Sequence, residues 1–564
     1  MKRRFHKAFV FAWLFTCLLF FLSCGNKTSV AQTTASSPEE LKDKTTELIR
    51  ELLDQAKNSE GKTADTALVL RQPLLTATLY ESAGTISLWS DKGNWTTGAD
   101  SLYQLVKDAR YYGLFPEDYH SELLEQIHQL FDADSLDKNE RKDAALWAKT
   151  DVMLTDAFVQ LIEDVKFGRL PSDSISLNKD SVFADDFFKE QLAAVRNDSS
   201  ISGLVQSLEP THWGYKQLKS GIKSFLTSAG FKEYTQVPLP GKDTTGYKKA
   251  LQKRLYEGGY ISFDSTMADS AQLAGAVKKF QKEKGITVDG RAGEGTIRML
   301  NLSDREKFVR IAITMDKYKK LPAQMPSQYI WVNTSSNYMD VVKNEKIEFS
   351  SKVICGKPKT RTPLLNSAVS VLITYPQWVP PPSIITKEIL PAVKKNPDYL
   401  SRKGFSLLDK DGNEVDPYSV DWSKYSKGIP YKVVQGSGDA NALGVLKFHF
   451  DNKYSVYLHD TNQRYLFANA MRSLSHGCVR VQEWEKLAVY LLRNDSTASS
   501  KGFTRIDSLK TWLKNKEKHN IALRNKMPVF IRYLTCGLKD GQIVFYDDVY
   551  GEDKMLREKY FTFK

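Results

Sequence analysis

Cys478 stands between Gly477 and Val479, two residues after His476 and nineteen after His459, in the run LHDTNQRYLFANAMRSLSHGCVRVQ that starts at Leu458. A thiol is a weak nucleophile until it loses its proton. A nearby imidazole can take that proton or share an ion pair with the resulting thiolate. A residue two positions before the cysteine tends to point away from it, whereas one on an adjacent strand can face it. His459 is therefore the preferred base, and His476 is left to bind substrate, donate to a carbonyl or brace the loop. Acyl transfer also needs donors for a developing oxyanion. The amides around Gly477 and Cys478 are placed in sequence to supply them, and the start of the following helix adds a favourable field. Arg480 can engage a substrate carboxylate, fix the loop to a carbonyl, or simply lie solvated. Zinc competes for the same residues, since His449, His459, Asp460, His476 and Cys478 include enough ligand types for a tetrahedral site. No H-E-x-x-H segment accompanies them.

The elements that must position these groups are legible nearby. "GVLKFHF" and "YSVYLHD" flank Asp451-Asn452-Lys453, a pattern expected of two strands joined by a tight turn. Period two puts Val445, Lys447 and His449 on one face, with Tyr457 and His459 sharing a face of the second strand. "VQEWEKLAVYLL" carries apolar residues at helical spacing, so Cys478 falls in a tight segment just before a helix. From Tyr329 onward the period is strand-like, with turns expected at Ser335-Ser336-Asn337 and Lys343-Asn344. Pro380, Pro381 and Pro382 must stop the strand that precedes them.

A chain of 564 residues calls for two to four domains, and 41% hydrophobic residues exclude wholesale disorder. The net charge of +13 is scattered and includes four basic residues at the very N-terminus, which argues for solvated surface and against nucleic acid as partner. The opening MKRRFHKAFVFAWLFTCLLFFLSCG has the basic head and apolar run of a secretory signal. Its FLSCG ending resembles a bacterial lipoprotein box with Cys24 as the lipidated residue, although Phe21 stands where a smaller aliphatic residue is usual. Without Cys17 and Cys24, three cysteines remain: Cys355, Cys478 and Cys536. An odd number in an exported chain leaves at least one thiol free unless chains are crosslinked.

The expected order is a lipoprotein signal over 1–23, a tether over 24–37, and a helical scaffold over 38–244. Ser37 is the expected cap of its first helix. His120 and His128, eight apart in this helical stretch, are expected to pack and not to bind metal. A small unit over 245–302 holds F-Q-x-x-x-G followed by D-G-x-x-G-x-x-T, carried by Phe280, Gln281, Gly285, Asp289, Gly290, Gly293 and Thr296. This resembles the three-helix peptidoglycan-binding domain, and these residues mainly define its fold. A connecting helix over 303–324, expected to pack back on the earlier helices, leads to a catalytic domain over 325–540. An insertion at about 383–430, a cap by the resemblance given next, and a C-terminal extension over 541–564 complete the order.

The H-D-T of His459-Asp460-Thr461 and the S-H-G-C-V-R-V of Ser475 to Val481 resemble the YkuD-type L,D-transpeptidase catalytic domain, in its large periplasmic form. The "GKPKTRTPLLNS" and "YPQWVPPPSIITKEILPAVKKNPDYLSRKGF" segments extend that resemblance. It is clear from about Gly259 to Arg493 and thin after Gly502. The resemblance implies a multidomain chain: a mostly α N-terminal scaffold, a small three-helix peptidoglycan-binding domain, and a mixed β-rich catalytic domain. It implies Cys478 as nucleophile, His459 as base, Gly477 as the loop glycine, and Arg480, His476, Ser475, Tyr457 and Trp378 as substrate-side residues. Tyr457 and Trp378 could equally be packing residues. It further implies no cofactor or metal, and 3-3 crosslinking of peptidoglycan tetrapeptide stems through a thioester. Carbapenem-type lactams would be inhibitors, and an N-terminal lipid would hold the exported protein on the periplasmic side, at the outer membrane. A carboxypeptidase, a transferase of stems to protein or D-amino acid, and a non-catalytic binding lipoprotein are the alternatives.

Overall fold

The computed structural model describes residues 33–132, 142–197, 200–241, 243–262, 268–284, 286, 288–495 and 501–561. The expected leader with Cys17, the lipidation site Cys24, most of the tether, and Gly285 lie outside these residues. Among the described residues no helix is long and apolar enough to cross a membrane.

The chain divides into two units. One comprises the described residues up to 110 together with 114–165 and 182–208, and the other comprises 111–113, 166–181 and everything from 209. The first unit is helical. Ser37 caps helix 38–58, its hydroxyl accepting from the Glu40 amide at 3.1 Å. Helix 144–167 is buried almost completely in spite of its polar residues. Its carboxylates are buried because each is satisfied. Asp151 accepts from Tyr80 Oη at 2.6 Å and from the Leu88 and Trp89 amides. Asp156 accepts from the amides of Arg71 and Gln72, where helix 73–82 begins, and meets His120 Nε2 at 2.8 Å. His128 stacks on Tyr103 with centroids 4.5 Å apart. Both histidines are thus structural, as their spacing suggests.

In the second unit, helices 244–257, 270–283 and 294–300 form a small core around Leu255, Val277, Phe280 and Leu300. Gln281 is buried and tied entirely inward. Its amide donates to Asp289, the Arg291 carbonyl and Thr296, while its carbonyl accepts from the Asp289 and Gly290 amides. These motif residues therefore build the turn that joins two helices. Helix 304–319 packs against helix 213–228, where the Tyr318 ring fills the space that a side chain at Gly214 would need.

The catalytic region is a closed barrel. Its strands are β1 (Gln328–Asn333), β2 (Tyr338–Lys343), β3 (Lys346–Gly356) and β4 (Leu365–Thr374), then β5 (Phe405–Leu408) and β6 (Lys432–Gln435) in the cap. β7 (Leu446–Phe450), β8 (Leu458–His459), β9 (Ser473–Ser475), β10 (Val479–Val481) and β11 (Asn520–Arg532) complete it. The order is β3-β10-β8-β7-β4-β11-β1-β2, and β2 pairs back onto β3, while β9 lies along the other side of β3. β8/β10, β3/β9 and β1/β11 are parallel and the other barrel pairs antiparallel. Leu458, Val479, Val481, Phe448 and Phe450 join Ile330, Val332 and Val529 in one core, with helices 484–494 and 501–515 against it. The two turns expected between β1, β2 and β3 form at Asn337 and Asn344, both with positive φ.

The hairpin before His459 is wider than expected. β8 holds only two residues, because Asn452 organises the connection: it donates to the Phe450 and Val456 carbonyls and accepts from the Tyr454 and Val456 amides. Side-chain amides of this kind compete with strand pairing. The cap has a small core of its own around Leu390, Val393, Leu407, Trp422 and Val433. It is closed at its root by two backbone bonds between Trp378 and Gln435, five residues past the expected end at 430.

Candidate active site

Period two decides which face of the sheet each residue occupies. β8 and β10 run parallel, with Leu458 beside Val479 and His459 beside Arg480. On the other side β8 meets β7 antiparallel, with Leu458 opposite Phe448 and His459 opposite Lys447. Leu458, Val479 and Phe448 all enter the core. Their neighbours Tyr457, His459, Cys478, Arg480 and Lys447 must therefore share the opposite face. The Val479 amide bonds the Tyr457 carbonyl at 3.1 Å, which sets Tyr457 beside Cys478 and His459 diagonally across from the thiol.

Of the three cysteines among the described residues, only Cys478 reaches the surface. Cys355 and Cys536 are buried, with burial pushing each up to about 12, and none of the three is in a disulfide. Desolvation also raises the Cys478 thiol. The Tyr457 amide and hydroxyl, and the charges of Lys447 and Arg480, pull it back down. His459 is only 3% exposed, and its Nδ1 has no hydrogen-bond partner. Burial first, then the Arg480 and Lys447 charges, push the ring down to about 3 against weak help from the Asp460 and Leu443 carbonyls. The resting site therefore holds a protonated thiol and a neutral imidazole. A standing thiolate–imidazolium pair is disfavoured.

The nucleophile loop is rigid at its start. Ser475 is buried, its hydroxyl donating to the Cys478 carbonyl at 2.6 Å and accepting from the Gly477 amide at 3.1 Å. This corrects two expectations. Ser475 shapes the loop from beneath and is not presented to substrate. The Gly477 N–H is already engaged, so the Cys478 N–H is the loop amide left for an oxyanion. Gly477 has φ +127°, a conformation only glycine adopts easily, and this turns the chain so that the thiol faces outward. The Ser475 carbonyl accepts from the Lys357 amide at 2.9 Å and from Thr360 Oγ1 at 3.1 Å. The segment 356–362 is held in turn by Tyr550 Oη, which donates to the Gly356 carbonyl at 2.8 Å.

His476 Nε2 meets Glu388 Oε1 of the cap at 2.5 Å, so the cap rests on the nucleophile loop through this hydrogen bond. Trp378 packs toward the cap core, 5.9 Å from the Phe405 ring, and it also reaches the Tyr457 hydroxyl. Tyr457 lies 5.6 Å from the His459 ring and carries Lys447 Nζ 4.0 Å over its own ring. Arg480 donates to Gln463 Oε1 at 2.9 Å. Asp460 accepts from Arg464 and from the Val445 amide, pinning the entry to β7. The other metal candidates are turned to separate partners: His449 to Asp451 at 3.4 Å, and His476 to Glu388.

Lys447, Glu388 and Tyr550 were not singled out from the sequence. The alternation of β7 already places Lys447 on the site face, so its signal was present. Glu388 and Tyr550 act across 88 and 194 residues, and no local pattern announces them.

Comparison with known proteins gives three family matches along the chain. Residues 75–221 match a scaffold domain, 249–300 a domain described as "Putative peptidoglycan binding domain", and 327–519 the YkuD L,D-transpeptidase catalytic domain. A curated Haemophilus influenzae protein described as "Putative L,D-transpeptidase" is 36% identical over 227 residues, which cover 40% of this chain and 45% of that protein. The chain thus spans less than half the length of that relative. Two solved structures share weaker likeness. One, titled as an L,D-transpeptidase (Yku) from Stackebrandtia nassauensis, is 17% identical with TM-score 0.17, covering 55% of this chain and all of that one. The other, titled as the Ldtfm-avibactam carbamoyl enzyme, is 14% identical with TM-score 0.15, covering 38% of this chain and 51% of that one. Neither superposition is close enough to carry an argument. Along the chain a scaffold domain, a peptidoglycan-binding domain and a YkuD-type L,D-transpeptidase catalytic domain are thus matched in that order, each over its own stretch.

Proposed function

We propose that this protein is a cysteine L,D-transpeptidase that forms 3-3 crosslinks in peptidoglycan. The observation that carries the proposal is the pairing of an accessible thiol with a buried, unpartnered imidazole nitrogen on one face of adjacent parallel strands. A buried polar atom without a partner is costly in a native fold, and at such a site the cost is repaid when a proton arrives.

In this reading His459 takes the thiol proton as Cys478 Sγ attacks the carbonyl of the third residue of a tetrapeptide donor stem. The carbonyl π electrons move to oxygen, where the Cys478 N–H stabilises them. The C–N bond then breaks, and the protonated His459 gives its proton to the departing D-alanine amine, leaving a thioester. The side-chain amine of a diaminopimelate on a second stem attacks that thioester and loses a proton to His459, and the thiolate leaves. Arg480 is the candidate for a stem carboxylate. Water as acceptor gives L,D-carboxypeptidase activity, and a protein amine or a D-amino acid gives the corresponding transfer. Lipidation at Cys24 would hold the enzyme on the periplasmic side, at the outer membrane.

Incubation with a tetrapeptide-bearing disaccharide is expected to yield a crosslinked dimer less one alanine by mass. A carbapenem is expected to add its mass to the wild type and nothing to Cys478→Ala. An unmodified wild type would return the chain to a non-catalytic binding role.

A further inference from the structure

Two cations stand on the site face without a carboxylate partner among the described residues. Arg480 has only the neutral Gln463 amide, and Lys447 has only an aromatic ring, its Nζ 4.0 Å over Tyr457. A half-buried ammonium is costly unless something of opposite charge repays it. The Tyr457 face lowers that cost by a cation–π contact. Among the described residues, the ionisable group of opposite sign that acts on Lys447 is the Cys478 sulfur, once it has become a thiolate. The neighbouring charges offer no alternative. His449, on the same strand, pairs with Asp451. Glu388 of the cap pairs with His476, and Asp460 is taken by Arg464. His459 is neutral, and Arg480 feels the Cys478 sulfur first and Tyr465 second. The two cations also divide their effects: Lys447 weighs more than Arg480 on the thiol, and Arg480 more than Lys447 on the imidazole.

We propose that Lys447 is a further residue of the site, its ammonium held over the Tyr457 ring as the counter-ion of the Cys478 thiolate. This deepens the transpeptidase reading and rests on it. When the S–H bond breaks, its electron pair stays on sulfur and its proton goes to His459. Lys447 stays charged throughout and exchanges no proton. It acts through the sulfur, and Arg480 is left for substrate.

The test is the rate of Cys478 alkylation by iodoacetamide as a function of pH, in the full chain, read by mass. Cys355 and Cys536 are buried and serve as internal controls. Lys447→Met and Lys447→Gln are each expected to move the midpoint of the profile up by about one pH unit, slowing reaction about tenfold below it. Lys447→Arg is expected to restore the wild-type midpoint. A midpoint unmoved in both neutral variants overturns the proposal, as does a loss of rate by one factor at every pH, which would mean a packing role. A raised KM for donor stem with an unchanged thiol profile would make Lys447 a substrate-binding residue and also overturn it. Failure of the transpeptidase reading looks different: the wild type itself would resist both alkylation and the lactam.

Discussion

Helix 144–167 and strand β8 both carry polar side chains shielded from water, and they resolve the same physical problem in opposite ways. Asp151 and Asp156 are 1% exposed and take amide, hydroxyl or imidazole donors on their oxygens. His459 is about as buried, yet its Nδ1 meets nothing. Satisfied buried groups lock a fold into one arrangement. Unsatisfied ones reduce stability and hold a reactive state ready. His120 and His459 make the contrast within one residue type. His120 is spent on Asp156 and braces the loop before helix 73–82, whereas His459 is kept free for a proton.

The sharpest way to break this comparison is to remove the free imidazole. His459→Ala is expected to slow carbapenem acylation by about 10²–10⁴-fold, the usual worth of a general base. Stopped-flow fluorescence would measure it. Because the ring falls from 6.5 to about 3 in the fold, it stays neutral across physiological pH. The wild-type acylation rate should therefore show no protonation step near pH 6.5. The stability sign follows from the same shift. Between these two values the unfolded chain binds the extra proton, so the contribution is full above pH 6.5 and is lost as pH falls toward 3. Substituting His459 should flatten that limb of the stability curve. A wild-type acylation midpoint at 6.5 would show the ring to be solvated, and the contrast with His120 would dissolve.

The counterpart in the helical region is Asp151→Ala, which strands the Leu88 and Trp89 amides and the Tyr80 hydroxyl. Each unpaired group costs about 1–3 kcal/mol, so a loss of about 4 kcal/mol is expected, read by hydrogen exchange in residues 75–165. Acylation of Cys478 should be unchanged. A smaller effect sharpens the comparison inside the site itself. Ser475→Ala frees the Gly477 amide and the Cys478 carbonyl, and a loop no longer held should acylate about tenfold more slowly, with a stability loss of about 1–3 kcal/mol that is smaller than that of Asp151→Ala. If acylation instead doubled, the Gly477 amide would be an oxyanion donor that Ser475 restrains.

Much of the site could be read before the fold was known, because its residues are local. His459 closes a strand, Cys478 precedes a helix, and alternation alone puts Lys447 and His459 on faces that the register then merges. The small helical module was legible for the same reason, its Gln281 and turn glycines lying within a dozen residues of one another. The Asn452 loop was not, since a single side chain replaced the tight turn expected at Asp451-Asn452-Lys453 with a wider one. Nor was the burial of helix 144–167. Its aspartates look like a solvent face until Tyr80, Trp89 and Arg71 arrive from more than sixty residues away to satisfy them.

The amino-acid sequence by itself determined the candidates for chemistry: one thiol, one imidazole, and the period that aims both from neighbouring strands. Only the tertiary structure decided their protonation, because desolvation and the charges of Lys447 and Arg480 depend on what surrounds each group in space. It also decided that Ser475 lies beneath the loop, that Glu388 reaches His476 from the cap, and that Tyr550 braces the loop from the C-terminal side. Covalent order fixes residue type and local direction, while solvent exclusion and long-range hydrogen bonds exist only once distant segments are packed.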